Sequence, residues 1–201
     1  FIFDLDGTLV DSVYEHVLAW QQALAELGLN ISVWRIHRKI RMSGGLFATA
    51  LARETGRDLT PDETARLQKA HGAAYAARSS GVRPLPGARE LLEFLTDAGV
   101  PWAIATSGYR ETAGPTLREL EVPDDVPVVT RDQVAHAKPD PDLFLAAAEK
   151  LGVDVRSSCI VGDSIWDMLA AQRAGGLGIG LLSGGYDTDE LERSGAYRVY
   201  E

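Results

Sequence analysis

The chain has 201 residues, with 20 Lys and Arg against 29 Asp and Glu, and a formal net charge of −9. Apolar residues make up 45% and charged residues 24%, a balance that excludes a disordered chain, a fibrous repeat and a disulfide framework. The acidic surplus counts against nucleic acid as a partner, which calls for a basic footprint, but not against a phosphorylated substrate, because one metal ion reverses the local sign.

A single cysteine, Cys159, allows no intrachain disulfide and fits a reducing, cytoplasmic setting. No apolar run approaches the ~20 residues of a membrane span, so no membrane partner is expected. The chain opens without Met on Phe1-Ile2-Phe3 and stops at Tyr200-Glu201. Both ends read as trimmed, with little of the catalytic core expected to be missing.

Phe1-Ile2-Phe3 running into Asp4-Leu5-Asp6-Gly7-Thr8 reads as a short buried strand that breaks at a turn. Val13, Val17, Trp20, Leu24 and Leu27 recur at helical spacing before Gly28, a natural stop. Ser43 is placed to cap a helix with Leu46, Phe47, Ala50 and Leu51 on one face. Thr60-Pro61-Asp62-Glu63 has a capping Thr, Pro at the first helical position and Glu three residues past the cap, which starts a helix running to about residue 78. Residues 12–83 therefore read as helix after helix.

After Arg83-Pro84-Leu85-Pro86-Gly87 the texture alternates. Helices are expected at 88–98, 110–121, 141–151 and 165–174, and strands at 101–106, 127–129, 158–162, 177–182 and 196–200. Such alternation predicts an α/β fold, a Rossmann-like parallel sheet flanked by helices. The first strand belongs to that sheet, so an all-helical cap is inserted: 1–11 and 84–201 form the core, 12–83 the cap. Gly175, Gly176, Gly178 and Gly180 do not match a dinucleotide fingerprint and are read as permitting a tight helix-to-strand passage.

Ligands of open parallel sheets bind at the carboxyl ends of the strands. The polar residues there are Asp4 and Asp6, Thr106 and Ser107, Lys138 in the loop before helix 141–151, and Asp163. Clustered carboxylates repel unless a cation joins them. An all-oxygen set suits Mg²⁺, which takes one or two carboxylates, waters and a phosphate. Lysine and hydroxyl then need an anion, and a phosphoryl group satisfies both. One carboxylate can act as nucleophile and the other as general acid and base.

FDLDGTLVDS, IATSG, the lysine of AKPDPD and GDSIWD, in that order, resemble the four motifs of the haloacid dehalogenase superfamily, and a helical insert after the first motif extends the likeness along the whole chain. The phosphoglycolate phosphatase-like and β-phosphoglucomutase-like members are the most similar. The resemblance implies an Mg²⁺-dependent phosphatase acting on a small phosphorylated metabolite through an aspartyl-phosphate, with a phosphomutase as the alternative. It implies that Asp4 is the nucleophile and that Asp6 protonates the leaving oxygen and then activates water. It places Thr106, Ser107 and Lys138 on the phosphoryl oxygens, and Asp4, Asp6 (through its backbone carbonyl) and Asp163 on the metal. Asp167 would support the metal shell or orient Lys138.

Plainer readings stand beside these. Asp4 and Asp6 also suit a turn, Thr106 a strand end, Lys138 a solvated loop and Asp163 a helix entry; Ser164-x-x-Asp167 is also a capping pattern. Arg35, His37, Arg38, Lys39 and Arg41 read either as a solvated helix face or as a basic lid meeting an anionic substrate tail. His16, ten residues past Asp6, reads as a hinge-side substrate or proton contact or as a packed histidine, and Trp20 as core. Against a mutase, Met42-Ser43-Gly44-Gly45 lacks the arginine expected to grip a second phosphate, although Arg41 adjoins it. Dehalogenases of the superfamily lack the second aspartate present here as Asp6. A response-regulator receiver is shorter and carries its acid on a central strand. Monomer and homodimer both remain open.

Overall fold

In the computed structural model, residues 1–40, 42 and 44–201 are described. The apolar segments form a six-stranded sheet: β1 (Ile2–Phe3), β2 (Ala103–Ala105), β3 (Val128–Val129), β4 (Cys159–Gly162), β5 (Leu177–Leu181) and β6 (Ala196–Tyr200), in the order β3-β2-β1-β4-β5-β6. Every pairing is parallel. The chain winds outward from β1 to β3, then crosses to the other side of β1 for β4. The direction of winding therefore reverses between β1 and β4, where open sheets bind ligands.

Between β1 and the next core helix lie α1 (Val13–Glu26), α2 (Val33–Lys39), α3 (Gly44–Glu54) and α4 (Pro61–Ala76). They bury Val17, Trp20, Leu24, Ile36, Phe47, Leu51 and Leu67 against one another in a core of their own. This is the helical cap. At α4 the anticipated capping box forms, the Thr60 hydroxyl accepting from the Glu63 N–H and the Glu63 carboxylate from the Thr60 N–H. Two strands of backbone join cap to core side by side: the Asp11 N–H donates to the Arg83 carbonyl and the Leu85 N–H to the Leu9 carbonyl, both at 2.9 Å.

The core helices are α5 (Ala88–Asp97), α6 (Arg110–Glu119), α7 (Asp142–Leu151), α8 (Ile165–Ala174) and α9 (Thr188–Arg193). Within the helix-after-helix reading of 12–83, the basic residues 35–39 lie on α2, whose inward side is Ile36. A short helix, α9, occupies the stretch before β6 to which the sequence pattern assigns no element, and begins with an Asp187-x-x-Glu190 capping box. The glycines after α8 serve close packing: Gly175 caps the helix at φ 82°, and a Cβ on Gly176 would come within 2.6 Å of the Ile160 side chain. Among the described residues, no helix is long and apolar enough to cross a membrane.

Candidate active site

β1 ends by handing its chain to a turn. The Asp4 N–H still bonds the Val161 carbonyl at 2.9 Å, after which Leu9 and Val10 both donate to the Leu5 carbonyl. Asp4 and Asp6 are thereby buried at the carboxyl end of the central strand, next to Thr106 at the end of β2 and Asp163 at the end of β4. Lys138 arrives from the loop before α7 and is fully buried. Its ammonium pairs with Asp4 Oδ1 and lies 2.7 Å from Asp167 Oδ1. Burial alone would lower the lysine, but the Asp167 and Asp4 carboxylates outweigh it and hold the ammonium above its ordinary value of 10.5. A solvated loop lysine is thus excluded.

Asp167 makes contacts on two sides. Its Oδ2 accepts from the Ser164 N–H at 3.1 Å and from the Ser164 hydroxyl at 2.5 Å, closing the N-terminal box of α8, while Oδ1 faces Lys138. Gly162 is required beneath it, since a Cβ there would lie 2.6 Å from Asp167 Cγ. Ligand atoms of Asp4, Asp163 and Asp167 lie within 4.8 Å of one another. Asp4 and Asp163 are the two carboxylates expected at the metal beside the Asp6 backbone carbonyl, and Asp167 joins them in this cluster. The Asp6 carboxylate is drawn to the cap side, where its Oδ1 accepts from the Ser12 hydroxyl at 2.7 Å and meets His16 Nε2 at 3.2 Å. Three carboxylates against the one Lys138 ammonium leave two formal negative charges in a buried space. Hard oxygen donors with that surplus fit a divalent cation such as Mg²⁺.

A cleft of about 100 Å³ opens over this corner, lined by Asp4, Asp6, Thr106 and Ser107 below and by His16, Trp20, Gln68 and His71 from the cap. Thr106 Oγ1 lies 3.5 Å from Asp6 Oδ2 and accepts from the Gly108 N–H at 2.9 Å. The buried Ser107 Oγ has no hydrogen-bond partner among the described residues.

A scan against family models matches residues 1–175 to the haloacid dehalogenase-like hydrolases. The chain belongs to this family. Among curated relatives, it is 33% identical to hexitol phosphatase A of Escherichia coli (strain K12) over 177 residues, 87% of this chain and 79% of that one. It is 35% identical to a phosphoglycolate phosphatase of Agrobacterium fabrum (strain C58 / ATCC 33970) over 196 residues, 95% of this chain and 83% of that one. Among solved structures, a hydrolase from Pseudomonas syringae superposes with a TM-score of 0.97 at 53% identity, covering all of this chain and 92% of that one.

Of the residues anticipated for this hydrolase, Asp4, Asp6, Thr106, Ser107, Lys138, Asp163 and Asp167 are brought together at the strand ends. Arg41 and the anticipated cap Ser43 lie outside the described residues. The other basic residues of the run face protein: Arg35 and Lys39 pair with Glu54, Arg38 with Glu190, and His37 bonds the Gly184 carbonyl. His136 sits on the surface with Asp142.

His71 was the residue missed. Its Nε2 lies 3.2 Å from His16 Nδ1, and its ring stacks on Trp20 at 4.0 Å, while the His16 ring stacks on Tyr75 at 3.8 Å. Trp20 is therefore both core and cleft wall. The signal lay in two i,i+4 pairs, His16/Trp20 on α1 and His71/Tyr75 on α4, which place four flat rings on facing helices. Burial, joined by repulsion from His16, pushes His71 well below the ordinary histidine value of 6.5, against a weaker pull from Asp6. The folded state thus binds fewer protons than the unfolded state just below that value, so its stability falls as pH drops through this range. Melting temperatures from pH 8 to pH 5 should decline less steeply in His71→Gln than in the native chain; parallel curves would exclude His71 as a source of the dependence.

Proposed function

We propose that this hydrolase is an Mg²⁺-dependent phosphatase that cleaves a small phosphorylated metabolite through an aspartyl-phosphate on Asp4. The observation that carries the reading is the buried Lys138 held between Asp4 and Asp167, beside Asp163 and beneath the cleft. In this reading a carboxylate oxygen of Asp4 attacks phosphorus as the bond to the leaving oxygen breaks, and Asp6 gives that oxygen its proton. Asp6 then takes a proton from the water that attacks the phosphoryl group, inorganic phosphate departs and Asp4 is regenerated. Ser12 and His16 hold the Asp6 carboxylate for both transfers. Lys138, Thr106 and the partnerless Ser107 hydroxyl bind phosphoryl oxygens. Asp4, Asp163, the Asp6 carbonyl and, in support, Asp167 would hold Mg²⁺, which when bound neutralises phosphoryl charge.

Residues 12–83 act as the specificity cap over a core of 1–11 and 84–201, and the lone Cys159 accords with the cytoplasm. Both relatives described above are named phosphatases, which supports phosphate release over the mutase alternative. Their names make phosphorylated sugar alcohols and phosphoglycolate the first compounds to screen.

A panel of phosphorylated metabolites should yield inorganic phosphate from at least one compound with Mg²⁺ present, and none once a chelator is added. Full turnover in chelator would overturn the metal assignment. Isomerisation of a sugar phosphate dependent on a bisphosphorylated primer would replace the phosphatase by a mutase.

A further inference from the structure

The basic residues of α2 make a second junction between cap and core, separate from the paired linkers. Arg38 lays both terminal guanidinium nitrogens on the two oxygens of Glu190, with Nη1 to Oε2 at 3.2 Å, and its guanidinium covers the Tyr186 ring at 4.7 Å. The Tyr186 hydroxyl returns a hydrogen bond to the Arg38 carbonyl at 3.1 Å. One residue earlier, His37 Nε2 is 2.9 Å from the Gly184 carbonyl. A carbonyl only accepts, so Nε2 carries the proton. The His37 ring stacks on Tyr14 of α1 at 5.4 Å, which fixes its aim from within the cap.

The core side of this junction is the turn 182–185, which is buried at Gly184 and packed directly onto Asp163. A Cβ on Gly184 would collide with the Asp163 carbonyl and carboxylate oxygens and lie 2.8 Å from Asp163 Cβ. The same turn reaches the first motif through the Ser183 hydroxyl, which donates to the Gly7 carbonyl at 2.5 Å. The turn is therefore held on one side by the cap and on the other by two strand-end loops that carry acids of the site.

We propose that α2 is a latch through which the cap sets Asp163, with His37 and Arg38 as positioning residues for the divalent-cation site. The inference rests on the phosphatase reading of Asp163 as a metal ligand. With the cap seated, His37 presses the 182–185 turn against Asp163, Arg38 fixes the segment that follows the turn through Tyr186 and Glu190, and together they hold the Asp163 carboxylate toward Asp4 and Asp167. With the latch undone, the turn loses its cap-side support and the carboxylates lose their common geometry. Cap seating and cation binding are then linked, and each strengthens the other.

The test is Mg²⁺ binding by titration calorimetry on the full chain, without substrate. Arg38→Gln removes the ion pair, His37→Phe keeps the stacked ring but deletes the N–H, and Glu190→Gln approaches the pair from the core while keeping a residue suited to the capping box. Each should weaken Mg²⁺ binding about fivefold or more, and the Mg²⁺ concentration for half-maximal phosphate release should rise in step. Arg35→Gln, which breaks contacts to Glu54 and the Trp34 ring within the cap, should bind Mg²⁺ like the native chain. A native chain that binds Mg²⁺ and releases phosphate, with all three latch variants binding equally well, overturns the latch and leaves the phosphatase standing. A native chain without Mg²⁺-dependent turnover overturns the reading of the site and the latch with it.

Discussion

Asp4→Asn should lower phosphate release from every substrate by roughly 10,000-fold or more, the scale reached when a covalent nucleophile is removed from an enzyme. Asn occupies the same volume, so the cost does not come from repacking. It keeps a carbonyl oxygen near Lys138, and the ammonium retains Asp167 at 2.7 Å, so the chain should stay folded. What disappears is an oxygen able to form a bond to phosphorus. Intact-protein mass spectrometry of an acid-quenched reaction makes the point separately from rate: the native chain should gain one phosphoryl group and the variant none. Turnover near the native level in Asp4→Asn would remove Asp4 as the nucleophile.

That experiment leans on a residue readable from the sequence, for a physical reason. An apolar strand can lead two acids into one turn only if something there offsets their repulsion, and Asp4, Asp6, Lys138 and Asp163 each follow a strand or precede a helix at a place that topology brings to one edge. The parallel sheet was legible through the alternation of apolar runs with helical spacing. The helix α9 escaped because it is six residues long and buries only Leu191, too little for a periodic signal; its capping box, Asp187-x-x-Glu190, was the available clue. The fate of the 35–41 run was beyond the sequence because charges choose partners in space. Arg38 finds Glu190, 152 positions away, whereas Arg35 and Lys39 share Glu54 inside the cap. Asp167 was ambiguous for a better reason: its two oxygens do two jobs, one capping α8 and one facing Lys138.

The two-sided cap junction also gives meaning to Asp6 facing away from the other acids. Its carboxylate is held by Ser12 and His16, residues at the start of the cap, while Asp4, Asp163 and Asp167 gather around Lys138 in the core. The group proposed to move protons is tied to the element that covers the substrate; the groups proposed to hold charge are tied to the sheet. A cleft assembled from both is complete only when they meet.

Lys138→Met should cost about 3–5 kcal/mol of folding stability in metal-free buffer, the range found when one partner of a buried ion pair is removed. Met nearly matches the aliphatic stem and can still lie over Phe144, whose ring centre is 5.1 Å from the native ammonium, so cavity formation contributes little. The loss is electrostatic. Asp4 and Asp167, almost fully buried, and Asp163 beside them would face one another with no positive charge among them. Two remedies should then act on the variant more than on the native chain. Adding Mg²⁺ should restore part of the stability, because a divalent cation substitutes for the missing ammonium among the same oxygens. Lowering the pH should narrow the difference, because burial without a cation raises a carboxyl group's pKa and protonation then relieves the repulsion. The native chain retains its advantage throughout the neutral range, since the Lys138 ammonium is held above 10.5 and stays charged there; that contribution is lost only as pH rises beyond the ordinary lysine range. Urea denaturation of both chains with Mg²⁺ and with chelator, at pH 7.5 and pH 5, reads all of this. A Lys138→Met chain within about 1 kcal/mol of native in chelator at pH 7.5, or one that Mg²⁺ stabilises no more than native, would show that Lys138 does not hold the acids of this site together.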